Sequence, residues 1–294
     1  MKKISVIIVT YNSADLIIDC IDSILKYNDI GSENIEIIVV DNSSQVESRK
    51  IFQLLNQDYG SKVKFLNNET NLGYGHGNNI GIKASSGNLI CVMNPDIRLI
   101  EPLFSDVIKQ FEKREKLGMI GYRQRGGRNI SFYIKPEFFI PLLNSVLIRV
   151  ANKLNLFLPK YFFLSGAFLF IDKTKFKEIG MFDKNIFLYS EEADISQRFQ
   201  MEGYLIKFSG KHKYLHLVGN RTVFKENIIN NKLISSKYYF KKYNRNWKNY
   251  VLKKKIEIIF KIIFYRLINN KNALSKYLKI KNLFYKKAMS HFFF

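Results

Sequence analysis

Acidic residues stand directly after apolar runs at several points, where a side chain would project from a strand end into a cleft. Asn94-Pro95-Asp96 follows the run 89–93. A carboxylate in a proline-stiffened turn is suited to a hard cation, Mg²⁺ or Mn²⁺, whose shell takes one or two carboxylates, with diphosphate oxygens and water completing it. Taken alone, Asn-Pro-Asp is also an ordinary turn. Asp41 closes the run 35–40, placed either to accept from a base or ribose or to form an Asx turn or helix cap with Asn42-Ser43-Ser44. Glu191-Glu192-Ala193-Asp194 gathers three carboxylates at an expected helix start, Glu191 and Asp194 on one face and Glu192 elsewhere. Acids favour a helix N-terminus for its dipole. Crowded beside a cleft, they also acquire the raised pKa of a general base. His216 opens the stretch 216–222 and is a possible metal or phosphate ligand.

These residues need a sheet to hold them. Residues 4–9 form a β-branched run suited to a buried parallel strand, and runs at 35–40, 63–66 and 89–93 repeat the pattern. Between them lie helical patterns, one capped by Ser13 with Leu16, Ile17, Cys20, Ile21, Ile24 and Leu25 at helical spacing, another around 46–55. Strand alternating with helix implies an α/β fold whose mostly parallel sheet binds ligands at the carboxyl ends of its strands. Residues 71–81 are dense in Gly and Asn and read as a loop in which backbone approaches a phosphate or base. Neither a dinucleotide fingerprint nor a P-loop is present, and His76 reads as a polar loop residue. The pattern weakens over 123–160, a mobile loop or a membrane- or acceptor-facing insertion. It returns at 161–171, with a helix near 173–180 and order again over 186–203.

The 294 residues suit one α/β domain and an appendage. With no secretory signal and no metal-spaced cysteines, Cys20 and Cys91 read as buried thiols of a cytoplasmic protein. The formal charge of +22 is uneven: residues 225–294 hold 18 Lys/Arg against 2 Asp/Glu. Within that tail, residues 251–268 form an otherwise apolar helix with Lys254, Glu257 and Lys261 on one face. It is too charged to span a bilayer and reads as an interfacial helix at an anionic membrane; the alternative is a helix packed on the catalytic domain.

In this order the motifs resemble the family 2 glycosyltransferases of GT-A fold, in particular the bacterial rhamnosyltransferase-like, polysaccharide-assembly branch. The resemblance covers about residues 4–222. It rests on the segments 6–12, 39–44, 71–81 and 93–96, then on Ser165-Gly166-Ala167, residues 180–183, Tyr189 with 191–194, and His216 with Gly219. It implies a Rossmann-like catalytic domain over 1–224, with a nucleotide-sugar half (1–123) and an acceptor half (124–224); the basic helical tail 225–294 matches no motif of the family, and nothing about it follows from the resemblance. It further implies that Thr10, Tyr11, Asn12 and Asp41 hold the nucleoside, with Asn71, Gly73 and Asn78 closing the pocket and Asn94 beside it. Asp96 would bind the cation and His216 approach it. Glu192 matches the catalytic base, with Glu191 its neighbour, and Gly166 and Ala167 wall the sugars.

Two departures stand out. Asn94 replaces the first acid of the metal motif, and Glu192 stands where Asp is usual, which leaves Asp194 as a second candidate base. The reaction implied is inverting transfer of a sugar from a UDP- or dTDP-linked donor to a hydroxyl of a lipid-linked glycan, at the inner face of the cell membrane. A nucleotidyltransferase of similar fold is the alternative. A nucleic-acid partner is not expected, because the basic residues are interleaved with aliphatics and no binding motif accompanies them.

Overall fold

The computed structural model describes residues 3–43, 45–68, 70–126, 129–217 and 226–290. The stretch 218–222 that follows His216, and the expected boundary at 224, lie outside these.

The first half alternates as expected: β1 (Ile4–Thr10), α1 (Ala14–Lys26), β2 (Ile35–Asp41), α2 (Gln45–Tyr59), β3 (Val63–Asn67), α3 (Tyr74–Ala84) and β4 (Leu89–Met93). There follow β5 (Ile97–Leu99), α4 (Phe104–Glu112), β6 (Leu117–Arg125), β7 (Phe132–Ile134), α5 (Asn144–Lys153), β8 (Phe162–Leu164), β9 (Phe168–Asp172), α6 (Lys173–Glu178), α7 (Glu191–Met201) and β10 (Leu205–His216). The tail folds into α8 (Glu226–Lys242), α9 (Trp247–Leu267) and α10 (Lys271–Ser290).

Eight strands form one sheet in the order β3-β2-β1-β4-β9-β6-β10-β5. β1 to β4 run parallel, while β9 is antiparallel to both its neighbours, β4 and β6. Apolar side chains fill both faces, as a sheet covered by helices on two sides requires. In-register pairing sets Thr10 beside Asp41 at the carboxyl ends of β1 and β2, and β4 ends one residue before Asn94.

Three local readings change. Ser13 does not cap α1, since its hydroxyl donates to the Tyr11 carbonyl two residues back instead. The Gly/Asn-rich segment is mostly helix α3, not loop, and His76 lies on it. Glycine serves there for contact: a Cβ on Gly77 would stand 2.9 Å from Val9 Cγ1, and one on Gly81 2.4 Å from Ile7 Cγ2. Only a helix lacking side chains at those points lies so close on β1. The weak region 123–160 holds α5 and β7, which pairs antiparallel with β8 just beyond it.

The tail helix also turns out inverted. Lys254 and Lys261 reach the buried, inward-facing Glu257 at 3.1 and 2.9 Å, and the Lys254 ammonium sits 3.5 Å from the Phe139 ring centre. One carboxylate and one ring thus hold the cations inward. The outward stripe of α9 is apolar: Leu252, Ile259, Phe260, Ile263 and Phe264 are exposed. Among the described residues no helix is long and apolar enough to cross a membrane. Both cysteines are free and buried, and burial pushes the Cys20 thiol up to about 12.

Gly81→Ala should cost about 1–3 kcal/mol, the usual penalty for overfilling a packed contact. The urea midpoint should fall at an unchanged slope.

Candidate active site

The carboxyl ends of β1, β2 and β4 open on a common edge. Thr10 is fully buried, and its hydroxyl has no hydrogen-bond partner among the described residues. The same holds for the side-chain oxygen of buried Asn78, whose amide donates to the Tyr74 carbonyl. Tyr11 is exposed, and Asn12, in the left-handed region, donates its backbone N–H to the Ser43 hydroxyl at 2.7 Å. Asp41 stands at its expected place but with its oxygens engaged: Oδ1 accepts from the Ser43 hydroxyl at 2.6 Å and Oδ2 from Ser48. In this arrangement it organises the loop after β2, the Asx-turn alternative.

Asn71 Oδ1 accepts from the Gly73 N–H at 3.0 Å. Gly73 has φ of 100°, and a Cβ there would meet the Phe187 carbonyl oxygen at 2.1 Å, so only glycine fits. The next N–H, of Tyr74, donates to that carbonyl at 3.1 Å. The loop entering α3 is thereby fixed to the segment entering α7.

Asp96 and His216 come together from opposite ends of the chain. β10 pairs His216 with Ile97 on β5, which brings imidazole Nε2 within 3.2 Å of Asp96 Oδ2. The other ring nitrogen faces Gln124 Oε1 at 3.1 Å, so Gln124 orients the ring. Gln124 carried no signal in the sequence, since its role depends on β6 lying beside β10. Asp96 and His216 are 6% and 8% exposed. One carboxylate and one imidazole fit Mn²⁺ or Mg²⁺ held partly by the protein and partly by diphosphate and water. A self-sufficient metal cage of three or more such ligands does not occur among the described residues. Asn94 does not join them through its backbone, which pairs its N–H with the Ala167 carbonyl at 2.9 Å.

α7 begins in strain. Tyr189 and Ser190 both hold positive φ, 71° and 75°, a costly pair for residues with side chains. That turn presents the three acids in different directions. Asp194 is fully buried: Arg198 reaches its Oδ2 from Nε at 2.9 Å and from a terminal nitrogen at 2.7 Å, while Lys242 and the Tyr243 hydroxyl reach Oδ1 at 2.6 and 2.7 Å. Glu191 is buried with Oε1 unpartnered among the described residues. Burial, then the charge of Glu192, raises its carboxyl well above the usual range. Glu192 lies against Gly166, where a Cβ would come 2.1 Å from Glu192 Oε1. Burial raises Glu192 too, opposed by backbone hydrogen bonds, including one from Gly166.

Tyr74 joins the two groups of acids. Its hydroxyl donates to the Gly166 carbonyl at 2.9 Å, and burial with the charges of Glu192, Glu191 and Asp96 raises it well above the usual phenol. The tail completes the support: Tyr239 and Phe240 of α8 pack on Ala193 of α7, and Lys242 bridges Asp194 to Asp183 at 2.7 Å. α8 therefore packs on α7.

Residues 5–180 match the model of glycosyl transferase family 2. Glycosyltransferase GlyG of Streptococcus pneumoniae serotype 4 is 27% identical over 225 residues, which are 73% of this chain and 70% of that protein. A mannosyltransferase, PcManGT from Pyrobaculum calidifontis, solved with GDP-Man and Mn²⁺, superposes with a TM-score of 0.61 at 15% identity over 95% of this chain and 73% of that one. GalNAc-T7, solved with UDP, GalNAc and Mn²⁺, superposes with a TM-score of 0.59 at 16% identity over 80% of this chain and 47% of that one. An α/β sheet curled under helices, acids gathered at its strand ends and the family match over residues 5–180 lead to one assignment: the chain belongs to glycosyl transferase family 2 and is a glycosyltransferase of GT-A fold.

Proposed function

We propose that the chain transfers a sugar from a UDP- or dTDP-linked donor to a hydroxyl of a lipid-linked glycan, inverting the anomeric centre, at the inner face of the cell membrane. The observation that carries this reading is the segment Gly166-Ala167: Glu192 rests against Gly166, while the Asn94 N–H, two residues before Asp96, donates to the Ala167 carbonyl at 2.9 Å, so the expected base and cation ligand flank one wall. A nucleotidyltransferase would have no use for a base beside an acceptor wall. The presence of nucleotide and Mn²⁺ in the two GT-A neighbours supports donor and cation alike.

Thr10, Tyr11, Asn12 and Asn78 line the nucleoside pocket, with Asn71 and Gly73 holding its lip, Asp41 its floor and Asn94 the turn into Asp96. Asp96 and His216 would hold the cation, which supplies neutralisation of charge developing on the leaving diphosphate. Glu192 takes the acceptor proton from the side opposite the leaving group. Glu191 stands beside it, its carboxyl raised well above the usual range by burial and by the charge of Glu192. Asp194, saturated by Arg198, Lys242 and Tyr243, has no lone pair free for an acceptor and instead positions α7. Gly166 and Ala167 form the wall against which donor and acceptor sugars meet. Binding at the membrane draws on the cations of 225–294 and on the exposed apolar stripe of α9.

Asp96→Ala should abolish transfer and the metal dependence of donor binding, with the melting temperature retained. Full turnover in EDTA would overturn the cation assignment. Glu192→Gln should keep donor affinity and fold but lower turnover by about 10²-fold or more. Asp194→Asn should instead destabilise by about 3–5 kcal/mol, leaving Arg198 and Lys242 short of their counter-charge. Parallel melts and rates separate the two, and the reverse pattern would make Asp194 the base.

A further inference from the structure

Two cavities flank α5, and their linings are opposite in kind. One, of about 430 Å³, is lined by Arg123, Arg125, Arg149, Lys153 and Lys213, with Gln124 at its inner end and no carboxylate in its lining. Among the described residues none of these five cations pairs with an acid; Arg123 bonds only the neutral Asn155 side chain. Five like charges around one hollow repel one another, and the arrangement is relieved by a multivalent anion. The second cavity, of about 520 Å³, is predominantly apolar: Leu147, Val150, Leu156, Leu158, Tyr161 and Phe162 line it, with Glu137 and Lys253 as its charged residues. Leu147, Val150, Leu156 and Leu158 are all exposed. A contiguous apolar hollow of this size on a protein surface marks a binding groove.

The two meet at the end of α5. Asn152 and Lys153 face the cationic hollow, while Ala151 and Leu156 face the apolar one. A ligand using both must carry a concentrated negative charge joined closely to a long apolar chain, since a helix with its side chains is only about 10 Å across. Gln124 links the cationic hollow to the reaction centre, because it both lines that hollow and faces His216.

We infer that α5 is the binding ridge for a lipid phosphate or diphosphate, its head among Arg123, Arg149 and Lys153 and its chain in the apolar groove. The inference rests on the proposed lipid-linked acceptor and gives that acceptor its anchoring residues. It assigns the weak sequence region 123–160 a purpose: acceptor capture. The cationic hollow is separate from the donor site at Asp96 and His216, so head and donor bind together.

The test measures binding to the full chain by calorimetry, with inorganic pyrophosphate, farnesyl diphosphate and a lipid-free glycerol-phosphate oligomer as probes. Farnesyl diphosphate should bind at least tenfold more tightly than pyrophosphate, with UDP–Mn²⁺ already bound. The double variant Arg149→Glu/Lys153→Glu should weaken both at least tenfold. Leu147→Glu/Val150→Glu should weaken farnesyl diphosphate alone. All four positions are exposed, and nucleotide binding with its Asp96 dependence should be unchanged in each variant. Wild-type affinities in either variant would overturn the inference, as would displacement of farnesyl diphosphate by UDP–Mn²⁺. An oligomer binding as tightly as farnesyl diphosphate would overturn the lipid as the source of the phosphate. Loss of Asp96-dependent nucleotide binding in the unmodified chain would instead sink the glycosyl-transfer reading itself.

Discussion

A carboxylate buried without compensation costs several kcal/mol, and the structure around Asp194 is organised by that constraint. Its two oxygens receive four donors: two from Arg198 on the same helix, then Lys242 and Tyr243 from the end of α8 and just beyond it. Satisfying one charge therefore binds the C-terminal segment to α7, the helix that carries the three clustered acids. Lys242 extends the link to Asp183, and Tyr239 and Phe240 cover Ala193. The result is a helix start held firmly enough to keep Tyr189 and Ser190 in unfavourable backbone conformations.

That rigidity bears on the proposed roles of the three acids. With Asp194 saturated and Glu191 buried, the proposed base is Glu192, which rests on a glycine because any side chain at 166 would occupy its place. The donor side is built more sparsely. Asp96 and His216 meet only because β10 returns antiparallel to β5, and Gln124 on the adjacent strand sets the imidazole. Cation and diphosphate would then complete one another's coordination, which couples metal and donor binding.

Much of this was legible in the sequence. The β-branched runs bounded by polar residues gave strands close to those observed, because such runs bury both faces of a parallel sheet. Acids at their ends followed from the same logic. Glycines misled at 74–84: they signal either loop or close contact, and the contact here is with Ile7 and Val9 on a distant strand. The tail misled in orientation. Its lysines were visible, but that Glu257 and Phe139 would draw them inward depends on a fold no local pattern encodes. Gln124, Lys242 and Tyr243 were unreadable for the same reason: each acts through a partner remote in sequence.

The most direct measurement is the pH dependence of kcat/KM at saturating Mn²⁺, for the unmodified enzyme and for Glu191→Gln. A general base works only when ionised, so activity is present above its pKa and lost as pH falls through it. Burial raises Glu192, so the acid limb should lie above the ordinary glutamate range. Burial and the charge of Glu192 raise Glu191, which is not the proposed base, so replacing it with glutamine should leave both limb and plateau nearly in place. A rate that stays level down through the ordinary carboxylate range, or one abolished at every pH by Glu191→Gln, would contradict the assignment of Glu192 as the base.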